Sequence, residues 1–132
     1  MNILITGASR GIGYALASAF TYDPNNKVFA ISRNTAKLKK LAVETNSSNN
    51  KGDLYYLEFD LLSDNYTESL LPSVKNKLGS VDILVNNAGA LINNTFDQLS
   101  DEDFDIIFNI TGILHEPQGI DEVLPSNFLY VF

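Results

Sequence analysis

The sequence predicts an α/β domain with a doubly wound, parallel sheet and helices on both of its faces. Short apolar segments alternate with longer amphipathic segments, which is the pattern of strands joined by crossover helices. A glycine-rich turn at residues 7–13 joins the first apolar segment to the first amphipathic one. The 132 residues, 45% of them hydrophobic, suffice for one domain with a single core.

Four compact apolar segments are the predicted strands. Each is apolar over successive residues rather than at alternate ones, as expected for parallel strands that are buried on both faces. Right-handed crossovers would join them into one sheet. The segments are Ile3–Thr6, Val28–Ile31, Leu54–Phe59 and Val81–Val85.

Two amphipathic segments are predicted helices in the first half of the chain. The first runs from Gly11 to about Thr21 and has its apolar residues at helical spacing. The second runs from Thr35 to about Thr45, with Leu38, Leu41 and Ala42 on its inner side.

A third helix is predicted over about 65–78. Pro72 either kinks this helix or marks its true start, because proline lacks the backbone N–H that an interior turn needs. Gly79 is suited to end it. The polar stretch 46–52 is a loop between the second helix and the third strand.

Composition excludes several classes of function. The net charge of −7 would repel nucleic acid, and the absence of cysteine excludes disulfides and thiolate metal sites. No apolar run approaches the roughly 18 residues of a membrane span. The single histidine, His115, has no second ligand at chelating spacing. We therefore expect a cytoplasmic protein that has no metal centre and binds neither nucleic acid nor membrane.

The glycine-rich turn predicts an anion-binding site. It follows a predicted strand and opens a predicted helix, where helix N-terminal amides favour negative charge and glycines let a diphosphate approach the backbone. The alternative is a tight turn that uses its glycines only for chain reversal. Three glycines in seven residues, with Ser9 and Arg10 between them, favour the binding site.

Three motifs together resemble the short-chain dehydrogenase/reductase family. Thr-Gly-x-x-x-Gly-x-Gly occupies 6–13, Asp60-Leu61 follows the third strand, and Asn-Asn-Ala-Gly occupies 86–89. The motifs occur in the family's order over roughly 1–110, while 111–132 is an atypical tail. The resemblance implies one Rossmann-type domain over 1–132, truncated to about four strands in the order 3-2-1-4, which binds NAD(H) or NADP(H) for hydride transfer between carbonyl and alcohol.

The resemblance also implies the residues that contact the dinucleotide. The residues of the glycine-rich turn would contact the diphosphate and the adenosine ribose. The Asp-Leu pair would contact the adenine, and the Asn-Ala-Gly segment would border the adenosine and nicotinamide riboses. An alternative interpretation is that Asp60 only caps the helix that follows. The implied cofactor-binding residues are Gly7, Ala8, Ser9, Arg10, Gly11, Ile12, Gly13, Arg33, Asp60, Leu61, Asn87, Ala88 and Gly89.

The end of the second strand predicts the choice of cofactor. NAD-binding domains place a carboxylate there, about 20 residues beyond the glycine turn, to bond the ribose hydroxyls. This strand ends Ile-Ser-Arg-Asn at 31–34, without a carboxylate. Arg33, with Arg10 and Ser9, can bond a 2′-phosphate, which predicts NADP rather than NAD. If Arg33 is only a surface cation, the sequence predicts no preference between NADP and NAD.

The family's proton-donating pair is missing from this sequence. The resemblance implies a tyrosine with a lysine four residues later, and none of the six tyrosines has one. We therefore name no catalytic residue, and we expect the chain alone to be inactive. Three classes stay open: an oxidoreductase domain, a non-catalytic dinucleotide-binding module, and a recombined or truncated relative without activity.

The segment at 105–110 has two interpretations. Ser100 with acidic residues after it predicts a helix from about Asp101, with Phe104 and Ile107 facing inward. However, 82–91 and 105–114 share Asp, Ile, Asn, Gly and Leu at identical offsets, so 105–110 is either that helix or a second copy of strand four.

The outer edge of strand four needs a partner. An apolar edge such as that of Ile83–Val85 recruits another backbone when it is left open. We expect either that residues 127–132, the apolar segment Asn-Phe-Leu-Tyr-Val-Phe, fold back onto this edge, or that two chains associate through it.

Overall fold

The computed structural model describes residues 1–63, 66–89, 98, 100–103 and 129–131. Its five strands form one parallel sheet in the order β3-β2-β1-β4-β5. The strands are β1 (Asn2–Thr6), β2 (Lys27–Ser32), β3 (Asp53–Glu58), β4 (Ile83–Val85) and β5 (Leu129–Val131). The predicted parallel sheet with the order 3-2-1-4 is therefore confirmed, and β5 extends it by one strand.

Three α-helices connect the first four strands. They are α1 (Gly11–Phe20), α2 (Ala36–Asn46) and α3 (Leu71–Leu78), and a π-helical turn, Tyr66–Leu70, precedes α3. Each crossover returns to the sheet beside a parallel strand, as a doubly wound fold requires.

The sheet has an apolar cluster on each of its faces. Leu4 of β1 packs on one face, with residues of α3, whereas its neighbours Ile3 and Ile5 pack on the other face, with residues of α1 and α2. This alternation follows from the pleat, which directs successive side chains to opposite faces. It explains why the strands are apolar over successive residues.

Pro72 marks the true start of the third α-helix. It lies in the first turn of α3, where its missing N–H has no intrahelical partner to lose. The chain before it forms the wider π-helical turn instead of continuing the same α-helix. Gly79 ends α3 with a positive φ of 77°, and its N–H donates to the carbonyl oxygen of Lys75 at 2.9 Å.

The segment Leu129–Val131 lies against the outer edge of β4. Its three residues pair in parallel register with Ile83, Leu84 and Val85. Of the two outcomes expected for this edge, the structure shows the folding back of the C-terminal segment.

The start of the expected fourth helix is visible at residues 100–103. Residues 101–103 are helical, the Ser100 hydroxyl accepts the N–H of Asp103 at 3.1 Å, and the Asp103 carboxylate accepts the N–H of Ser100 at 3.0 Å. This reciprocal pair is a capping box. The choice between helix and strand at 105–110 lies outside the described residues, as does His115.

Candidate functional site

A cleft of about 570 Å³ lies at the carboxyl ends of the central strands. In an open parallel sheet, this edge is where ligands bind. The cleft brings together segments that follow β1, β2, β3 and β4. Its lining residues are Gly7, Ser9, Arg10, Gly11, Ile31, Ser32, Arg33, Asn34, Phe59, Asp60, Leu61, Asn87, Ala88 and Gly89.

Three of the sequence-predicted residues do not line this cleft. Ala8 is fully buried, and its N–H donates to the carbonyl oxygen of Ile31 at 3.0 Å, which fastens the turn to β2. Gly13 is buried inside α1, and Ile12 is 73% exposed beside the turn. The other ten residues line the cleft.

Two glycines of the turn allow close packing against the loop after β4. A Cβ on Gly7 would lie 2.7 Å from the Cα of Ala88. A Cβ on Gly13 would overlap the side-chain amide of Asn87 and lie 2.7 Å from the carbonyl oxygen of Gly7. No side chain fits at either position, so glycine at both positions allows the turn after β1 and the loop after β4 to pack closely.

Gly11 has a different role. Its φ is +57°, which disfavours other residues, and a Cβ built there would have no atom within 4 Å. The residue lines the cleft at the first position of α1. Its bare backbone therefore leaves space next to the helix N-terminus rather than serving internal packing.

The amino end of α1 has no side-chain cap. Arg10 is the N-cap residue, in an extended conformation, and no acidic residue lies in the first helical turn. The first N–H groups of a helix have no intrahelical partner and carry the positive end of its dipole. Together with Gly11, this helix end can accept an anion.

Thr6, at the end of β1, organises the loop after β4. Its hydroxyl oxygen accepts the N–H groups of Asn87 at 3.1 Å and Ala88 at 3.0 Å, and it donates to the side-chain oxygen of Asn86 at 3.3 Å. Thr6 is only 1% exposed. Sequence reasoning quoted this threonine as part of a motif but did not identify its role. The signal was available, since a hydroxyl ends β1 and an amide-rich segment follows β4 at the same edge of the sheet.

The side-chain amide of Asn87 makes the reverse connection. Its Nδ2 donates to the carbonyl oxygens of Thr6 at 3.2 Å and Gly7 at 3.1 Å. The turn after β1 and the loop after β4 are therefore joined in both directions.

The end of β2 and the two residues after it contribute one cation and two polar residues to the cleft. Arg33 is exposed and lines the cleft beside Ser32 and Asn34, which were not among the predicted cofactor-binding residues. The Ser32 hydroxyl oxygen accepts the N–H of Asn34 at 3.3 Å, and Asn34 Oδ1 accepts the N–H of Ala36 at 3.1 Å. These bonds fix the turn that carries Arg33. Ile31 and Phe59 were predicted only as the ends of strands, because apolar core residues give no separate signal for a binding site.

Asp60 closes a turn and also lines the cleft. Its Oδ1 accepts the N–H of Leu62 at 3.0 Å, and its backbone carbonyl accepts from the N–H of Ser63 at 3.0 Å and its hydroxyl at 2.7 Å. Residues 61–63 form a turn and not a helix, so Asp60 caps this turn and not the helical element that follows. Among the described residues that line the cleft, Asp60 is the one acid, and Arg10 and Arg33 are the two cations.

Two observations on the described residues limit other kinds of site. Within those ranges, no group of three or more histidine, cysteine, aspartate or glutamate side chains is placed to hold a metal ion. None of the described helices is long and apolar enough to cross a membrane.

Comparison with known families and sequences gives one consistent result. Residues 1–123 match the family model described as short chain dehydrogenase. An NADPH-dependent pterin aldehyde reductase of Arabidopsis thaliana is 35% identical over 115 residues, which are 85% of this chain and 46% of that protein. A ketoacyl reductase of Nostoc sp. is 31% identical over 125 residues, 95% of this chain and 42% of that protein.

Solved structures agree with the sequence comparison. An alcohol dehydrogenase from the archaeon Thermococcus sibiricus, in complex with 5-hydroxy-NADP, superposes with a TM-score of 0.71 at 30% identity, covering 83% of this chain and 46% of that one. A 3-oxoacyl-[acyl-carrier protein] reductase from Brucella melitensis in complex with NAD gives 0.71 at 26% identity, covering 92% and 48%. The chain spans less than half the length of each of these four relatives.

Proposed function

The chain belongs to the short-chain dehydrogenase family, and from this premise we propose that it is the NADP(H)-binding domain, over 1–132, of an oxidoreductase. The observation that carries the proposal is the uncapped amino end of α1 beside Gly11, at the floor of a cleft formed where the sheet's strands end. A dinucleotide fits this combination, because its pyrophosphate needs an anion site and its two nucleosides need a cleft at the carboxyl ends of the strands.

The fit of a dinucleotide is supported by the open position at Gly11. The pyrophosphate would lie against the first turn of α1, where a Cβ at residue 11 would otherwise enter the space. Gly7 and Gly13 would contribute to cofactor binding indirectly, because they let the loop after β4 pack closely against the glycine-rich turn. Ser9 and Arg10 line the same part of the cleft and can add hydrogen bonds and positive charge.

The two ends of the cofactor would be held by different loops. Asp60 and Leu61 would lie beside the adenine, where a carboxylate oxygen can accept a hydrogen bond from the adenine amino group. Asn87, Ala88 and Gly89 would border the riboses, held in place by Thr6. When bound, the nicotinamide supplies hydride transfer, and the residues of this chain bind and orient it.

NADP is favoured over NAD by the residues after β2. Arg33 and Arg10 both line the cleft, and the described segment 31–34 contains no carboxylate. A guanidinium bonds a phosphate through two parallel N–H groups, whereas NAD offers only ribose hydroxyls at this place. The relatives include both an NADPH-dependent enzyme and a protein in complex with NAD, so they support a dinucleotide and leave the choice to these residues.

Titration of the chain with each cofactor tests the preference. Nucleotide fluorescence should show saturable binding of NADPH, tighter than that of NADH. Tighter binding of NADH would reject the NADP proposal while leaving dinucleotide binding intact. No binding of either nucleotide would reject the proposed function itself.

We further propose that this chain binds the cofactor without turnover. Its sequence contains no tyrosine followed by lysine four residues later, so it lacks the pair that the family resemblance implies for protonating a carbonyl oxygen. We therefore expect no NADPH oxidation with a panel of aldehydes and ketones. Turnover above the rate without protein would contradict this proposal. The second candidate function is a cytoplasmic module that binds a dinucleotide but belongs to no active oxidoreductase. The lack of a tyrosine–lysine pair in this sequence favours it as well.

A further inference from the structure

We propose that Asn46 is an edge cap, a residue whose side chain ends the sheet at β3 by taking the place of a further strand. β3 is the terminal strand on one side of the sheet. A terminal strand presents backbone groups that can pair with another chain. The proposal does not depend on cofactor binding, since Asn46 is not among the residues that line the cleft.

The backbone groups of β3 that point away from the sheet follow from its pairing with β2. The N–H of Asp53 donates to the carbonyl oxygen of Asn26 at 3.0 Å, so residue 53 is directed towards β2. The N–H of Phe59, six positions later, donates to the last residue of β2 at 3.1 Å. In a strand, the backbone groups of alternate residues point to opposite sides. The N–H and C=O groups of Leu54 and Tyr56 are therefore directed away from β2.

The side-chain amide of Asn46 fills the outward position at Leu54. Asn46 Oδ1 accepts the N–H of Leu54 at 2.8 Å, and Asn46 Nδ2 donates to the carbonyl oxygen of Leu54 at 3.1 Å. A residue of an added antiparallel strand would exchange the same two kinds of bond with Leu54. One side chain therefore supplies both the donor and the acceptor of a neighbouring strand.

Asn46 is held at this edge because it is the last residue of α2. The helix is anchored by its buried residues, among them Ala42 and Thr45. Asn46 follows Ala42 by four positions and so lies on the same side of the helix. A side chain on an anchored helix loses less conformational freedom on bonding than a separate strand would. The amide is therefore already in place to cap the edge.

The cap lies in the part of β3 that is most suited to pairing. Residues 54–57, Leu-Tyr-Tyr-Leu, form an uncharged segment of the residue types that favour strands, and Asp53 and Glu58 place a charge at either end of it. Within the part of the chain that the structure describes, no protein group bonds to the outward N–H and C=O of Tyr56. Without the cap, two successive outward positions, at Leu54 and Tyr56, would be open to another strand.

Amide hydrogen exchange on the full chain tests the cap directly. In Asn46→Ala, the Leu54 amide should exchange faster by about tenfold or more, because it loses its acceptor, while the Tyr55 amide, which is directed towards β2, keeps its protection. Ser47→Ala is the matched control, since the Ser47 hydroxyl donates to the carbonyl oxygen of Val43 within α2, and it should leave both rates unchanged. An unchanged Leu54 rate in Asn46→Ala, or an equal rise at Tyr55, would overturn the proposal.

Light scattering tests whether the cap prevents strand addition. At equal protein concentration, Asn46→Ala should reach about twice the mass of the unaltered chain or more, and Ser47→Ala should not. A double variant with Asn46→Ala and Tyr56→Pro should return to the mass of the unaltered chain, because proline removes the outward N–H and is tolerated on an edge strand. If Asn46→Ala keeps the mass of the unaltered chain, or if the double variant associates equally, Asn46 does not close this edge and the proposal is wrong.

Discussion

The side-chain amide of Asn87 donates to the carbonyl oxygen of Gly7 at 3.1 Å, across 80 positions of sequence. Gly7 follows β1 and Asn87 follows β4, which are neighbours in the sheet. The bond therefore joins the two loops on which the proposed cofactor would rest. Several measurable properties depend on this junction.

Gly13→Ala should destabilise the fold, because the new Cβ would overlap the Asn87 amide and lie 2.7 Å from the Gly7 carbonyl oxygen. We expect a loss of about 1–3 kcal/mol in the free energy of unfolding, as for other overpacked sites. Chemical denaturation measures it. The control is Gly89→Ala, where a Cβ meets no atom within 4 Å and φ is not positive. Equal losses in both variants would contradict the packing role of Gly13.

Thr6→Val should also lower stability, since it removes the oxygen that accepts the N–H groups of Asn87 and Ala88. The Asn87 N–H also donates to the carbonyl oxygen of Val85 at 3.1 Å, so the loss falls mainly on the Ala88 N–H. Leaving such a partly buried donor without its acceptor costs about 1–3 kcal/mol. Thr6→Ser keeps the hydroxyl and loses one buried methyl group, worth about 0.8 kcal/mol. In urea denaturation the serine variant should therefore be the more stable of the two. The reverse order would show that the methyl packing of Thr6 matters more than its hydrogen bonds.

Arg33→Ala should weaken NADPH binding selectively. A charge-assisted hydrogen bond contributes about 1.5–3 kcal/mol, which corresponds to roughly a 10- to 150-fold rise in the Kd for NADPH, with little change for NADH. Fluorescence titration with both nucleotides measures the ratio. Lys37→Ala is the matched control, because it removes an exposed cation that does not line the cleft. If both variants weaken NADPH binding equally, Arg33 contributes only general positive charge.

Tyr55→Phe should reduce the loss of stability at alkaline pH. Partial burial raises the pKa of the Tyr55 phenol above its ordinary value of 10.0, and the nearby Asp53 carboxylate, which accepts its hydrogen bond at 3.2 Å, adds to the shift. The folded state then holds this proton more tightly than the unfolded state, so the contribution is present below pH 10 and is lost as the pH rises through the folded pKa. Denaturation curves between neutral and strongly alkaline pH should fall less steeply for Tyr55→Phe than for the unaltered chain. Parallel curves would contradict this pKa shift.

Sequence patterns were sufficient for the main elements of this protein. The apolar segments predicted β1 to β4 because parallel strands are buried on both faces and need little information from outside the segment. The glycine turn was recognised from three glycines between a predicted strand and a predicted helix, and in the structure Gly7 and Gly11 adopt the positive φ that few other residues tolerate. Gly79, with its φ of 77°, ended α3 for the same local reason.

Tertiary structure alone decided which residues meet across the sheet. The bonds from Thr6 to Asn87 and Ala88 join residues that are 81 and 82 positions apart. The position of Phe59 beside Ser32 depends on the register of β2 with β3. The apolar segment at 127–132 was compatible with either a covering strand or association of chains, until its register with β4 was seen. Local sequence determines the φ, ψ and burial that each segment prefers. Contacts between segments depend instead on strand order and register, which come from the packing of the whole sheet.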